Sequence, residues 1–591
     1  MSDRFFGTLS TPRFDRRNFL ERSLAVGALS LLAGNGRAMA EAIGDSRSRL
    51  EETAGYIEQE LPKLIERQAV APGVAIALVT PDQVWAKGFG VKNQGAADAV
   101  GTRTIFSLQS ISKLYTATAA LRACERGTIS LGETLAELIP GFTVRSRFEE
   151  NPEKKITLRH LLSHTAGFTH EAPVGNNLIL EDKSLEEHIA SISKTWLRFP
   201  VGQRYEYSNL GMDLAGYSLA LRYKTSLESV FEELLYRPFG LRRTSVDFAH
   251  IIPDDDRATG HDAHWPSLPI RVPMQASGGV YSSIDDAALF VQAHLRGTLL
   301  GSETTRLMAR PPFPAPGQEL GYGLGLVSSS RRGIRTLGHT GGGFGFATSY
   351  SWLPAYGVGL AALTNSTSYN PTAIQKLLLD QIERLAGAST RAIERPEAAA
   401  VGVDGLARLA GVYLGRENAL EFYVEDGSFK ARRHAWGFYL QSPERRPESL
   451  PLTIVSSDTV WLDLGPAAEG LRLRFLSAEG VRPAQVVSPD GIVWLQDRGD
   501  PVPESVKPAL TPFLKDYVIR IFGAQTAKAR LRLDGDYLKL TPGEGAPSAT
   551  LSHFKDLIFF TAHGEALDLG GPTPTYANIL LQTESDAKRP G

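Results

Sequence analysis

Only one cysteine, Cys124, stands among the 591 residues, which excludes an internal disulfide and with it the small disulfide-stapled scaffolds. Apolar runs long enough to span a bilayer, roughly 20 residues, are also missing. The run LAVGALSLLAG at Leu24–Gly34 falls well short, so no permanent membrane anchor is expected. Nor is there a surplus of either charge: 63 Lys and Arg face 65 Asp and Glu, a net charge of −2. That balance argues against nucleic acid and other polyanions as partners.

What is present begins with an address. Arg16-Arg17, then Phe19-Leu20, the apolar run, and Ala38-Met39-Ala40 before Glu41 read as a twin-arginine export signal over residues 1–40. The expected location is periplasmic or secreted, which suits a chain that does not rely on disulfides. At one domain per roughly 100–200 residues, two to four domains are expected, and 42% apolar residues can fill their cores.

Residues 45–388 alternate hairpins and helices. GVAIALVTPDQVWAKGFGVKN is a hairpin turning at Pro81-Asp82, and FATSYSWLPAYGVGLAALTN is another turning at Pro354. Strands at both ends with helices between them predict an α+β fold, one antiparallel sheet flanked by helices with a helical subdomain. Residues 389–404 are small, Pro-containing and aperiodic, a linker. Beyond it nearly everything is strand and turn. LEFYVEDGSFKAR is echoed by ARLRLDGDYLKL, and LDLG recurs at Leu462–Gly465 and Leu567–Gly570. Two C-terminal β-barrel-like domains, 405–500 and 505–591, account for the repeat.

Chemistry enters with a serine three residues before a lysine, a known nucleophile–base spacing. It occurs at Ser110–Lys113, Ser191–Lys194, Ser552–Lys555 and Ser585–Lys588, so spacing alone does not choose. Local structure does. Ser110 follows the extended GTRTIFSLQ and opens a helix whose Leu114, Ala117, Leu121 and Cys124 mark a packed face, closed by Gly127. There a serine meets unpaired N–H groups and the positive end of the helix dipole. Ser191 follows SLEEHIA in mid-helix, where a bland surface serine is expected.

Three further stretches, LRHLLSHTAGFTH, FPVGQRYEYSNLGMDLAG and LGHTGGGFGF, complete a pattern. Over about residues 50–385 the chain resembles the beta-lactamase and penicillin-binding-protein-like serine hydrolases, in particular the branch of D-aminopeptidases, D-Ala-D-Ala carboxypeptidases and esterases. The resemblance maps S-x-x-K onto Ser110 and Lys113, Y-x-N onto Tyr207 and Asn209, and the K-T-G or H-x-G strand motif onto His339, Thr340 and Gly341. It implies a beta-lactamase-like sheet with barrel-like accessory domains, an acyl-serine mechanism on a small peptide, amide or ester, and no cofactor or metal.

The roles it implies agree with elementary chemistry. Serine needs a base, which Lys113 supplies; Tyr207 shuttles a proton to the leaving group; the Asn209 amide can hold Lys113 and a substrate carbonyl. Ser110 N–H and Gly342 N–H are the expected oxyanion donors, and the GGG run Gly341–Gly343 lets substrate approach a bare strand. His339 stands where most beta-lactamases carry lysine. A partly charged histidine replaces a fixed cation, shifting the expectation from antibiotic hydrolysis toward peptidase or esterase.

His160 and His164 lie four apart but lack the glutamate of a zinc H-E-x-x-H; His164 is expected to be packed and hydrogen-bonded. His261–Trp265 reads as a polar loop. Met274–Ser283 resembles a family segment before a core helix, with Ser277-Gly278-Gly279 packing near the cleft. The reading is an exported serine hydrolase of small peptides or amides, D-residue-containing by analogy. An esterase on the same residues and a non-turning-over penicillin-binding or cell-wall sensor protein are the alternatives, and the sequence carries no signal of oligomeric state.

Overall fold

The computed structural model describes residues 47–584 except 68–70, 179–181, 263–269, 313, 315–319, 332, 368–379, 388–394, 417, 436–446, 464–469, 477–482, 522–523 and 544–545. The predicted export signal, Ser585–Lys588, Trp265 and residues 389–394 of the predicted linker lie outside the described residues.

In chain order the strands before residue 365 are β1 (Gly73–Val79), β2 (Val84–Gly90), β3 (Ile105–Ser107), β4 (Tyr281–Ser283), β5 (Gly321–Tyr322), β6 (Val327–Arg331), β7 (Ile334–Gly343), β8 (Phe346–Leu353) and β9 (Val358–Thr364). Seven form one antiparallel sheet in the order β2-β1-β9-β8-β7-β6-β5. An interior pairing joins β1 to β9, Val74 opposite Thr364, so the two ends of this region meet within the sheet. β1 is an unbroken apolar run and all seven of its residues are buried, as expected of a strand covered on both faces. Its alternation shows why. Ala75, Ala77 and Val79 enter the main core with Leu114, Ala117, Leu121, Ala287 and Val291. Val74, Ile76 and Leu78 pack on the opposite side against Leu50, Ile57 and Leu61 of the first helix and Ile382 and Leu385 of the helical segment 380–386.

Three helices carry the site: α1 (Ser112–Glu125), α2 (Leu185–Ile192) and α3 (Asn209–Tyr223). α1 is buried nearly all round, from Ser112 through Leu121, not on one face only. Its hydroxyls are therefore satisfied internally: Thr116 donates to Ala276 O at 2.7 Å and Thr118 to Leu114 O at 2.7 Å. Leu114 and Leu121, fully buried, are worth about 1.5–3 kcal/mol each in burial.

Two nearly closed sheets follow. Nine strands between Gly411 and Gln496 form the first; its edge strands, Glu448–Leu450 and Leu452–Ser456, adjoin across Pro451. Eight strands between Asp516 and Leu580 form the second in simple up-and-down order, and Val518 closes it by bonding both ways with Gln582, at 2.7 and 3.2 Å. The echoed sequences are hairpins in both, turning at Asp426-Gly427 and Gly535-Asp536. The second barrel docks on the helical region. Trp196 meets Phe554 and Phe560 edge-on at 5.6 Å each, and buried Arg198 lies 3.1 Å from Glu565 and 3.5 Å from Glu206. Gly564 must be glycine there, because a β-carbon would stand 2.2 Å from Arg198 O. Among the described residues no helix is long and apolar enough to cross a membrane.

Candidate active site

β3 ends at Ser107, and the next turn is forced. Gln109 adopts φ +52°, a left-handed conformation costing a non-glycine residue of order 1–3 kcal/mol; its amide is tied to Ser107 Oγ at 2.7 Å. Ser110 thus sits half-buried in a single tight turn, Gln109–Ile111, that runs straight into α1. One turn on, the fully buried Lys113 brings Nζ to 3.1 Å from Ser110 Oγ and 2.8 Å from Ser277 O. The Tyr207 ring lies beside that nitrogen, its centroid 4.8 Å away.

Tyr207 precedes α3, and the residue between it and Asn209 explains the junction. Ser208 caps α3 by accepting Leu210 N–H at 3.2 Å, donates to Thr169 O at 2.6 Å, and gives its own N–H to His164 Nδ1 at 3.2 Å. Asn209, the first helical residue, donates to Glu171 Oε1 at 3.4 Å. Glu171 gathers His170 and Asn177 at 2.6 Å each. The Asn209 amide is thus turned to Glu171 in place of the expected bond to Lys113.

The third motif lies on β7. His339 is buried; Nδ1 faces its neighbour's carbonyl, Thr340 O, at 2.6 Å and Nε2 faces Tyr322 Oη at 3.0 Å. The arrangement assigns the proton to Nδ1 and makes Nε2 the acceptor. Burial, aided by Lys113, pushes its pKa down to about 3. The expected partial charge is therefore corrected: His339 is neutral at neutral pH, because desolvation and a neighbouring cation both oppose protonation. His164 is held well below 6.5 by the same two causes. It lies past the short helix Leu158–Leu162 that carries His160, with φ +57°, so the two histidines do not share a helix face. His160 caps its own helix through Thr157. The rings of Tyr207 and Tyr322 flank His164 at 4.5 Å each.

Of the glycines, Gly341 faces inward, and a β-carbon there would stand 2.1 Å from Leu108 O and 2.5 Å from Thr348 Oγ1. The bare strand at this point admits the protein's own Ser110 turn. Gly342 and Thr340 face the open side, and nothing lies within 4 Å of a Gly342 β-carbon.

The other S-x-x-K copies resolve differently. Ser191 ends α2 and is buried, correcting the surface reading: its hydroxyl donates to His188 O at 2.8 Å and accepts Val174 N–H at 3.2 Å. Ser552 and Lys555 lie on a barrel strand; Ser552 accepts Asp500 N–H at 3.1 Å and Lys555 lies over aromatic rings. His261 accepts Gln94 N–H at 3.1 Å in a loop. Cys124 is half-buried, its thiol pushed up to about 11 by burial.

Two neighbours, Tyr322 and Arg416, and the role of a third, Ser277, which was expected only to pack near the cleft, were not read from the sequence. Tyr322, between glycines on β5, had no pattern to mark it. Ser277 contributes its carbonyl, which no side-chain motif encodes. Arg416, between the barrel strands β10 (Gly411–Leu414) and β11 (Asn418–Glu425), places its guanidinium 4.8 Å from the Tyr207 ring centroid and donates to Tyr207 O at 3.4 Å.

Comparison with known proteins follows these contours. A beta-lactamase family profile matches residues 59–382. The chain is 23% identical over 369 residues to an unguisins hydrolase of Aspergillus campestris, 56% of this chain and 67% of that one. It is 26% identical over 309 residues to the D-alanyl-D-alanine-carboxypeptidase/endopeptidase AmpH of Escherichia coli, 49% of this chain and 78% of that one. The crystal structure of SurE superposes with a TM-score of 0.55 at 20% identity, covering 77% of this chain and all of that one, a likeness of fold.

Proposed function

Because the chain belongs to the beta-lactamase family of serine hydrolases, we propose that it is an exported hydrolase cleaving small peptides or amides, including D-residue-containing ones, through an acyl-Ser110 intermediate. The observation that carries the reading is the Ser110–Lys113 contact of 3.1 Å, with the lysine sealed from solvent and Tyr207 beside it. Lys113 takes the hydroxyl proton as Ser110 Oγ bonds to the carbonyl carbon. The Ser110 and Gly342 N–H groups receive the developing oxyanion, each worth about 2.7–4 kcal/mol in such sites. Tyr207 hands a proton to the departing nitrogen as the C–N bond breaks and is resupplied with the serine proton from Lys113. Water then attacks the acyl carbon, Lys113 takes its proton, and that proton passes to Ser110 Oγ as the ester bond breaks, giving the free acid and restoring Ser110.

Two observations support this substrate class. Neutral His339 provides no fixed cation for a substrate carboxylate, which favours amides without a free C-terminal carboxylate, and AmpH, named for D-alanyl-D-alanine substrates, is among the relatives and supports the D-residue reading. Export rests on Arg16-Arg17 and the apolar segment after it.

The test is Ser110→Ala beside Ser191→Ala, assayed on a p-nitrophenyl ester, a D-amino-acid amide and a D-Ala-D-Ala peptide, with labelling by a fluorophosphonate. Ser110→Ala should abolish turnover and labelling, while Ser191→Ala retains labelling in whatever fraction folds. Labelling that survives in Ser110→Ala sinks the assignment. Turnover of the ester alone would make the chain an esterase.

A further inference from the structure

Behind Ser277 the hydrogen bonds continue away from the cleft. Asp213, one turn into α3 from Asn209 and fully buried, accepts Ser277 N–H at Oδ1 (2.8 Å) and the Ser277 hydroxyl at Oδ2 (2.7 Å). His188 of α2, equally buried, reaches the same Oδ2 with Nε2 at 3.2 Å, while its Nδ1 lies 2.7 Å from Val174 O. A neutral imidazole has one N–H. With an acceptor at each nitrogen, both carry hydrogen, and the pair is an imidazolium with a carboxylate.

The line from this pair to the nucleophile is unbroken: His188, Asp213, Ser277, Lys113, Ser110. Its last links explain why it matters. Lys113 donates to Ser277 O at 2.8 Å and to Ser110 Oγ at 3.1 Å; the Ser277 bond holds Nζ beside Oγ, where the single lone pair of the neutral amine would accept the Ser110 proton. The Ser277 carbonyl therefore aims the base. Asp213 holds the same residue by its N–H and hydroxyl, and His188 holds Asp213.

We propose that the His188–Asp213 ion pair consists of positioning residues that orient Lys113 through the Ser277 peptide, a role that rests on Lys113 being the base of the proposed reaction. The groups facing His188 are Asp213 from α3, the Val174 carbonyl and, at longer range, Glu171. Burial pushes the ring's pKa down, but these neighbours outweigh it and leave His188 above 6.5. The sign follows: the aiming pair is intact while His188 is protonated and is lost as pH rises through that raised value, so activity falls on the alkaline side.

The experiment compares the full chain with Asp213→Asn, Asp213→Ala, His188→Gln and Ser110→Ala, using p-nitrophenyl acetate between about pH 6 and 9 and active sites counted by fluorophosphonate. Asp213→Ala should lose on the order of 10²-fold in kcat, the cost of a misaimed group, with KM within a few-fold. Asp213→Asn can accept Ser277 N–H and donate to a neutral His188, so it should keep most turnover yet lose the alkaline fall; His188→Gln should lose it too. Wild-type alkaline limbs in both conservative variants, or an Asp213→Ala kcat per active site equal to wild type, overturn the inference. Turnover by Ser110→Ala would instead overturn the underlying reaction.

Discussion

Gly341→Ala tests how closely β7 is fitted to the nucleophile turn. The added methyl would stand 2.1 Å from Leu108 O, 2.5 Å from Thr348 Oγ1 and 3.1 Å from Gln109 Cβ. Real β-carbons keep about 3.0 Å or more from such atoms, so strand and turn must part by about 0.9 Å. The methyl also lands on the Thr348 hydroxyl bond to Leu108 O, 2.8 Å long. Overpacking of this kind costs about 1–3 kcal/mol and the lost bond about 1 kcal/mol, so a loss of about 2–4 kcal/mol in stability is expected. Ser110 is two residues from Leu108, and a shift near 1 Å in a reacting group can cost about 10²-fold in rate. The assay is urea unfolding together with kcat on a p-nitrophenyl ester per fluorophosphonate-labelled site. Gly342→Ala is the control: its methyl meets nothing within 4 Å and it keeps its N–H, so stability should stay within about 0.5 kcal/mol. Wild-type stability and kcat in Gly341→Ala would refute the fit; equal losses at both glycines would show a general need for glycine in the strand.

Arg416→Ala should lower kcat roughly five- to tenfold on every substrate, the low end for a long charge-assisted bond, and the loss should largely vanish in a Tyr207→Phe background; an additive double mutant refutes the link. A chain truncated after Gly387 lacks the same guanidinium and should lose turnover generally; unchanged kinetics in a folded truncate would show that the barrels serve only attachment or stability. His339→Lys puts a second ammonium beside buried Lys113 and removes the bond to Tyr322, so carboxylated and amidated substrates should both be turned over less; a selective gain for carboxylated ones would show that position 339 faces that end of the cleft. His294 and His339 are each depressed to about 3 by burial. Their depressed pKa values contribute stability that is present above pH 6.5 and lost as pH falls through the window down to about 3, at up to about 1.4 kcal/mol per pH unit each. His294 stacks on Trp352 at 4.6 Å, so His294→Phe should keep the packing and flatten the fall in urea midpoint between pH 6 and 4; an unchanged slope refutes it.

What the sequence disclosed depended on how far apart the cooperating residues lie. The hairpin at Pro81-Asp82, the helix after Ser110 and its close at Gly127 come from local pattern, and the structure has all three. The different settings of Ser110 and Ser191 were legible for the same reason, since Ser110 follows a strand and Ser191 lies within a helix. The burial of Ser191 was not, because the Val174 N–H that engages it comes from a separate loop. Spacing placed Asn209 beside the cleft yet could not say which way its amide turns, a choice made by Glu171, 38 residues earlier. Arg416 is 209 residues from Tyr207, and a single arginine in a hairpin loop has no periodicity to betray it.

The replacement of lysine by His339 makes physical sense beside that arginine. The wall around Lys113 is built of Tyr207, Tyr322, His164 and His339, and the two histidines are kept neutral. A second buried ammonium on β7 would face a desolvation cost of several kcal/mol with no carboxylate to receive it. A neutral imidazole avoids that cost, because one nitrogen is satisfied by its own strand and the other by Tyr322. A positive charge comes instead from the first barrel, on a half-buried arginine whose guanidinium packs on the Tyr207 ring. Lys113 and Arg416 thus bracket one phenol, each 4.8 Å from its centroid, and they belong to parts of the chain separated by about 300 residues. A shift of the first barrel relative to the sheet would move Arg416 from Tyr207, whereas the Ser110–Lys113 contact lies within one helical turn.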